Sequence, residues 1–252
     1  MSGSVRNGDV ILITGATGAI GFEIAAQAAA AGAIVGVHGA SAESVAKTCE
    51  RLRQQMPDAR LVAAPADFRT TGALEVMVNT VASTQGRLDA VIHCGIAAAR
   101  GITGPFAGTD PAAFGDHAAL VLGSFQRLCF AALPHLSKQG GTIIGFASDA
   151  GRFGAARQAV IGGAFGGIMS FVRNLALEVA RDGVRVHCLS PSFVSNTPAF
   201  AAHAARAEAA SARAGLGLPT PADIAPMALF LCSPGAARIT GQVISINGGL
   251  NA

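Results

Sequence analysis

The residues best suited to chemistry begin with a glycine run, Thr14-Gly15-Ala16-Thr17-Gly18-Ala19-Ile20-Gly21. It follows the apolar segment Val10–Thr14 directly. Glycines in such a place permit a tight turn, bring backbone N–H groups close to a phosphate, and aim the start of a helix at negative charge. Gly15, Thr17 and Gly21 are therefore the candidate contacts for a dinucleotide, or else packing residues that join helix to sheet. A ribose-binding acid or a phosphate-binding arginine belongs at the end of the second apolar run. The sequence there is Val37-His38-Gly39-Ala40-Ser41, with neither. Asp67 could meet an adenine edge, or could cap the helix after it. Ser148 and Asp149 offer a hydroxyl and a carboxylate side by side, and His93 a titratable ring at the end of a fourth apolar run.

Short apolar runs that alternate with longer helical patterns must hold these residues. Strands are expected over 10–14, 33–38, 60–64, 90–93, 142–147, 185–190 and 243–246. Helices are expected between them, and this alternation defines an α/β chain with a doubly wound parallel sheet of Rossmann type. Ser41 caps the second helix and Pro57 bounds it. Asp110-Pro111 and Thr220-Pro221 open later helices. Residues 199–214 are alanine-rich and predict a helical flap. No linker or repeat divides the chain, so residues 1–252 are read as one domain.

Composition narrows the function classes. Net charge is +3 with 13% charged residues, too weak and scattered for nucleic acid or a membrane surface. Mean hydropathy is +0.47, yet no run reads as a membrane span, so the apolar excess is assigned to subunit interfaces. Five cysteines without a C-x-x-C pair predict free thiols in a reducing cytoplasm and no metal site. The polar stretch from Met1 to Asp9 is not a secretory signal.

The glycine run, Leu88-Asp89, the segment Gly141-Thr142-Ile143-Ile144-Gly145-Phe146-Ala147-Ser148-Asp149-Ala150-Gly151 and the C-terminal run Ile239-Thr240-Gly241-Gln242-Val243-Ile244-Ser245-Ile246-Asn247-Gly248-Gly249 together resemble the short-chain dehydrogenase/reductase family over nearly the whole chain. The resemblance implies an Asn-Ser-Tyr-Lys catalytic set. Ser148 matches the serine. The tyrosine position is Ile161, the lysine position is Phe165, and the asparagine position falls near Leu120 and Val121. The chain has no tyrosine at all. Residues four apart share one helix face, so two polar groups are exchanged for two apolar ones.

On this basis the chain is expected to have no activity of its own and to bind no cofactor productively, with Ser148, Gly15, Thr17, Gly21 and Asp67 vestigial. It would support a homologous active dehydrogenase subunit that carries NAD, as a heterotetramer, through the helix from Val160 to Asp182 and the strand Val243–Ile246. Gly162, Gly163, Gly166 and Gly167 are costly in a helix and are expected to admit a partner's helix closely. The segment from Ser148 to Arg152 is similar to that of dehydrogenases acting on CoA thioesters in anaerobic aromatic breakdown, toluene included, which implies a hydroxyacyl-CoA-type secondary alcohol as the complex's substrate. Two alternatives stand beside this reading. One is an active NAD(P)-dependent oxidoreductase with an atypical proton donor, His93 or Asp149; the other is a nucleotide-sensing regulator.

Overall fold

The computed structural model describes residues 5–95, 101–202 and 204–251. Seven strands form one sheet: β1 (Val10–Thr14), β2 (Ile34–Val37), β3 (Arg60–Ala63), β4 (Ala90–His93), β5 (Gly141–Phe146), β6 (Val184–Pro191) and β7 (Val243–Ile246). All pairings are parallel, in the order β3-β2-β1-β4-β5-β6-β7. The expected doubly wound sheet is present, and its order reverses between β1 and β4. That reversal leaves a crevice at the carboxyl ends of the strands, where ligands bind in such sheets.

Each strand alternates its side chains between two cores. Val10 and Leu12 of β1 face one layer with Val91, Ile143 and Val186; Ile11 and Ile13 face the other with Val35, Ile92, Ile144 and Leu189. The helices α3 (Ala73–Gln85), α5 (Ser124–Leu136) and α6 (Ala159–Val179) cover the first layer. The second is covered by α1 (Ala19–Ala30), α2 (Ala42–Gln55) and α9 (Pro221–Cys232). Local chemistry fixes several helix starts. The Ser41 hydroxyl accepts from Ser44 N at 3.2 Å, and Thr220 forms a capping box with Asp223.

A helical region before α5 begins with α4 (Ala112–Ala118) and continues through a π-helical turn, Ala119–Gly123. Neither Gly115 nor Gly123 breaks the helix; it widens instead, and the Ser124 hydroxyl donates to Leu120 O. Two short helices follow β6, α7 (Pro198–Ala202) and α8 (Ala204–Ser211).

Two sequence readings need correction. Two helical stretches, Ala112–Leu136 and Ala159–Asp182, are in fact long and apolar enough to cross a membrane. Their apolar faces instead cover the sheet, which is why no single run stood out in the sequence. The second concerns the α6 glycines. A β-carbon on Gly162 would lie 2.5 Å from Ala150 O, one on Gly166 3.3 Å from Gly151 O, and one on Gly167 2.9 Å from Leu122 Cδ2. These three admit neighbouring segments of the same chain. Of the four, Gly163 alone has nothing within 4 Å.

Candidate functional site

A cavity of about 870 Å³ opens at the carboxyl ends of the strands. The glycine run forms one wall, through Gly15, Gly18, Ala19, Ile20 and Gly21, and Ser148 at the end of β5 stands on another. The glycine geometry is enforced by contact. Gly15 has φ +69°, and a β-carbon there would sit 2.7 Å from Gly95 Cα; on Gly21 it would sit 2.3 Å from Gly15 O. The loop is thus pressed onto both β4's end and its own helix. Gly18 precedes α1 with no side-chain cap, and the first turn holds no acidic residue. The first N–H groups of α1 therefore lack a side-chain acceptor beside the cavity, an arrangement that suits a phosphate. Thr17 is exposed on the loop and packs against Gly39, where a β-carbon would fall 2.5 Å from Thr17 Cγ2.

The ribose-selecting end is built differently. His38 is buried, and its Nδ1 accepts from Gly15 N at 3.0 Å. Its Nε2 must therefore carry the proton, which it donates to Ala66 O at 2.9 Å. Burial lowers the His38 pKa, in keeping with this neutral form. Both ring nitrogens serve the protein, so His38 is a strut beneath the glycine loop, a role its lone occurrence in the sequence did not signal. Phe68 stacks on it at 4.7 Å and 5°. Asp67 is engaged locally: it accepts from Arg69 N at 2.9 Å, with the Arg69 guanidinium 3.9 Å away. It does not line the cavity, and α3 begins only after Gly72, so its carboxylate does not cap that helix.

The candidate acids separate clearly. His93 has no exposed surface and does not line the cavity. Its Nδ1 lies 2.7 Å from Thr14 Oγ1, and its Nε2 lies 3.5 Å from Ser124 Oγ. Because Ser124 spends its proton on Leu120 O, His93 Nε2 is the donor there and Nδ1 accepts from Thr14. Burial pushes the His93 pKa down to about 3, so the ring is neutral at ordinary pH. Asp149 does reach the cavity, yet it is a buried hub. Its Oδ1 accepts from Ser190 Oγ (3.0 Å) and Ser245 Oγ (2.8 Å), and its Oδ2 from Asn247 Nδ2 (2.6 Å) and Asn251 Nδ2 (3.4 Å). Asp149 is thus a clamp joining the ends of β5, β6 and β7.

Ser148 precedes a 3₁₀ turn, Asp149–Gly151, and its oxygen accepts only weakly, from Ala150 N at 3.4 Å. Its hydroxyl proton remains available to a ligand. Ile161 and Phe165 line the same cavity, as their spacing on α6 requires. The turn after Ser148 is fixed against that helix: a β-carbon on Gly151 would meet Gly166 N at 2.6 Å. Leu120 and Val121 are buried in the π turn. Among the described residues no three histidine, cysteine or acidic side chains gather as a ligand set.

The family profile described as enoyl-(acyl carrier protein) reductase matches residues 15–251. The chain belongs to the short-chain dehydrogenase/reductase family. The peroxisomal 2,4-dienoyl-CoA reductase of Saccharomyces cerevisiae is 30% identical over 250 residues, covering 96% of this chain and 84% of that protein. A 7α-hydroxysteroid dehydrogenase solved with NADH and 7-oxo glycochenodeoxycholic acid superposes with a TM-score of 0.89 at 27% identity, covering 99% of this chain and 97% of that one. The actinorhodin polyketide ketoreductase solved with NADPH gives 0.86 at 28% identity, with 98% of each chain covered.

These relatives overturn the expectation that the chain is not an enzyme. Proteins matching it nearly end to end are named reductases and dehydrogenases, and the cavity stays open between glycine loop and Ser148. The Ile161/Phe165 pair puts apolar side chains where the resemblance implies a tyrosine and a lysine; it does not establish that no reaction occurs.

Proposed function

We propose that the chain is an NAD(P)-dependent oxidoreductase that interconverts a secondary alcohol and its ketone, with an atypical route for the proton. The observation that carries this reading is the cavity bounded jointly by the glycine loop and by the free Ser148 hydroxyl. A nicotinamide nucleotide, when bound, supplies or accepts the hydride. The N–H groups at the start of α1 suit its pyrophosphate. With no acid or arginine after β2, and His38 turned to Gly15, nothing at that end selects NAD over NADP. Cofactor binding is accordingly weak and indiscriminate.

Ser148 donates a hydrogen bond to the substrate oxygen, and water in the cavity exchanges the proton there. His93 is set aside by burial and by its neutral ring, and Asp149 by its four donors. Losing a positioned general acid costs about 10²–10⁴ in rate, so turnover is slow. The similarity of residues 148–152 to dehydrogenases of aromatic CoA thioesters supports a hydroxyacyl-CoA as substrate. The test is oxidation of NADH and NADPH by the isolated chain with a panel of ketones and 3-oxoacyl-CoA thioesters. Consumption that depends on substrate and falls on Ser148→Ala supports the reading. No turnover at cofactor concentrations shown by calorimetry to saturate the chain overturns it.

A second proposal concerns assembly. Leu177 on α6 is 80% exposed and Phe130 on α5 is 77% exposed, and β7 is an edge strand paired only to β6. Exposed apolar side chains and an open edge favour burial against another chain. We infer a heterotetramer with a homologous dehydrogenase chain, formed through α6 and β7 and resident in the cytoplasm, where the five free cysteines stay reduced.

A further inference from the structure

We propose that Arg206 and Arg213 form an anion site on the cavity's rim that recognises a carboxylate or phosphate carried by the substrate. This rests on the oxidoreductase reading and assigns the ligand's charge. Both arginines line the cavity, whose body is apolar around Phe153, Phe193, Ile161 and Phe165. Arg206 lies on α8, and the helical path continues past its end: Ala212 N donates to Glu208 O, and Arg213 N to Ala210 O. A separation of seven residues puts two side chains on one helix face about two turns apart.

Neither arginine is paired with a carboxylate among the described residues. Arg206 is instead held over the Phe193 ring, 5.7 Å from its centroid. Among the described residues, Asp149 is the only acidic one lining the cavity, and its two oxygens already take four donors. An anion entering the cavity therefore meets two guanidinium groups and no opposing free carboxylate from those residues. In a chain with only 13% charged residues, this concentration on the rim of an apolar cavity is a recognition feature. The glycine loop, which suits the cofactor's own phosphates, is a separate wall.

The experiment measures binding of four ligands to the full-length chain by equilibrium dialysis: 3-benzoylpropionate, its uncharged methyl ester, acetoacetyl-CoA, and the acetoacetyl thioester of N-acetylcysteamine. Calorimetry with NADH runs in parallel. A charge-assisted contact predicts that the acid binds about 10- to 100-fold more tightly than its ester. The same preference for acetoacetyl-CoA over its N-acetylcysteamine thioester would mark phosphate as a second source of the anion. In the Arg206→Gln/Arg213→Gln variant the preference disappears while NADH affinity is unchanged, and Arg206→Lys/Arg213→Lys restores most of it. Retention for one charged ligand alone identifies the source as carboxylate or phosphate. Equal binding of acid and ester, or a glutamine variant that loses NADH affinity with its ligand preference intact, overturns the proposal. A chain that prefers the acid yet turns over no substrate overturns the oxidoreductase reading and leaves the anion site standing.

Discussion

The glycine loop and the face of α6 opposite it border one cavity, yet they obey different constraints. At Gly15 and Gly21 even a methyl group would overlap backbone atoms at 2.7 and 2.3 Å. Ile161 and Phe165 line the cavity as side chains, and they also pack: Phe165 is buried in the core beneath α6, and Ile161 packs against that core. Backbone crowding at the loop thus excludes any side chain, whereas a cavity-lining side chain on α6 can be exchanged for one of similar bulk with local repacking. A site of this kind keeps its shape for as long as the sheet keeps its strand order, and its chemistry only for as long as function requires it.

The largest effect should come from restoring the missing chemistry. Ile161→Tyr with Phe165→Lys returns a general acid and its cationic neighbour to one helix face. Ketone reduction should then rise by about 10²–10⁴. The measurement is kcat at saturating cofactor for wild type and double variant, together with each single change. If the α6 face were as constrained as the glycine loop, the double variant would lose its fold by circular dichroism and gain nothing.

Ser148→Ala tests whether the hydroxyl is the remaining polar contact to the reacting oxygen. Removing one preorganised donor of this type costs about 10²–10³ in kcat. NADH affinity should be unaffected, because the glycine loop is separate from Ser148. An unchanged kcat would place the reacting oxygen elsewhere in the cavity.

The sequence reveals the two sides unequally, for the same reason. Strand positions were legible because β1, β4 and β7 are short apolar runs between turn signals, and the structure places them at the same residues. Gly15 and Gly21 were legible because glycines so spaced between a strand and a helix mark a tight turn that backbone must approach closely. The π turn at Ala119–Gly123 was not, since its apolar residues read equally well as α-helix. His38 appeared only as an absent acid; that its ring supports Gly15 depends on a contact across 23 residues. Asp149 likewise binds partners 41 to 102 residues away, which no local pattern encodes. The α6 glycines misled because a helix shows which positions are small without showing what fills the space beside them.

A pH titration sharpens the comparison further, since His93 is buried against Thr14 at the start of the loop and His187 is buried in β6. His93 is held near 3 and His187 near 4, both chiefly by burial, while an unfolded histidine titrates near 6.5. Between these values the unfolded chain binds protons that the folded chain refuses. Stability therefore rises with pH through that window and is fully present above about 6.5. Falling from pH 6.5 toward 4, each such histidine withdraws on the order of 1 kcal/mol per pH unit, and Tm should drop accordingly. His93→Asn, which keeps polar atoms near Thr14 without the titration, should flatten the slope. An unaltered slope would show that His93 is not held neutral.

The smallest effect separates folding from assembly on α6. Gly163 has open space where a β-carbon would go, whereas at Gly162 it would lie 2.5 Å from Ala150 O. Glycine in a helix interior costs about 0.5–1 kcal/mol relative to alanine, so Gly163→Ala should stabilise the isolated chain by about that amount. Gly162→Ala should instead destabilise it, because the 3₁₀ turn after Ser148 must move away. If a partner's helix approaches α6 closely at Gly163, the added methyl weakens the assembled state while the single chain still gains stability. Thermal melts alongside sedimentation with the partner chain distinguish these outcomes. Gain in both would mean that no helix from another chain crosses α6 at this glycine, leaving the exposed Leu177 and the β7 edge to carry the contact.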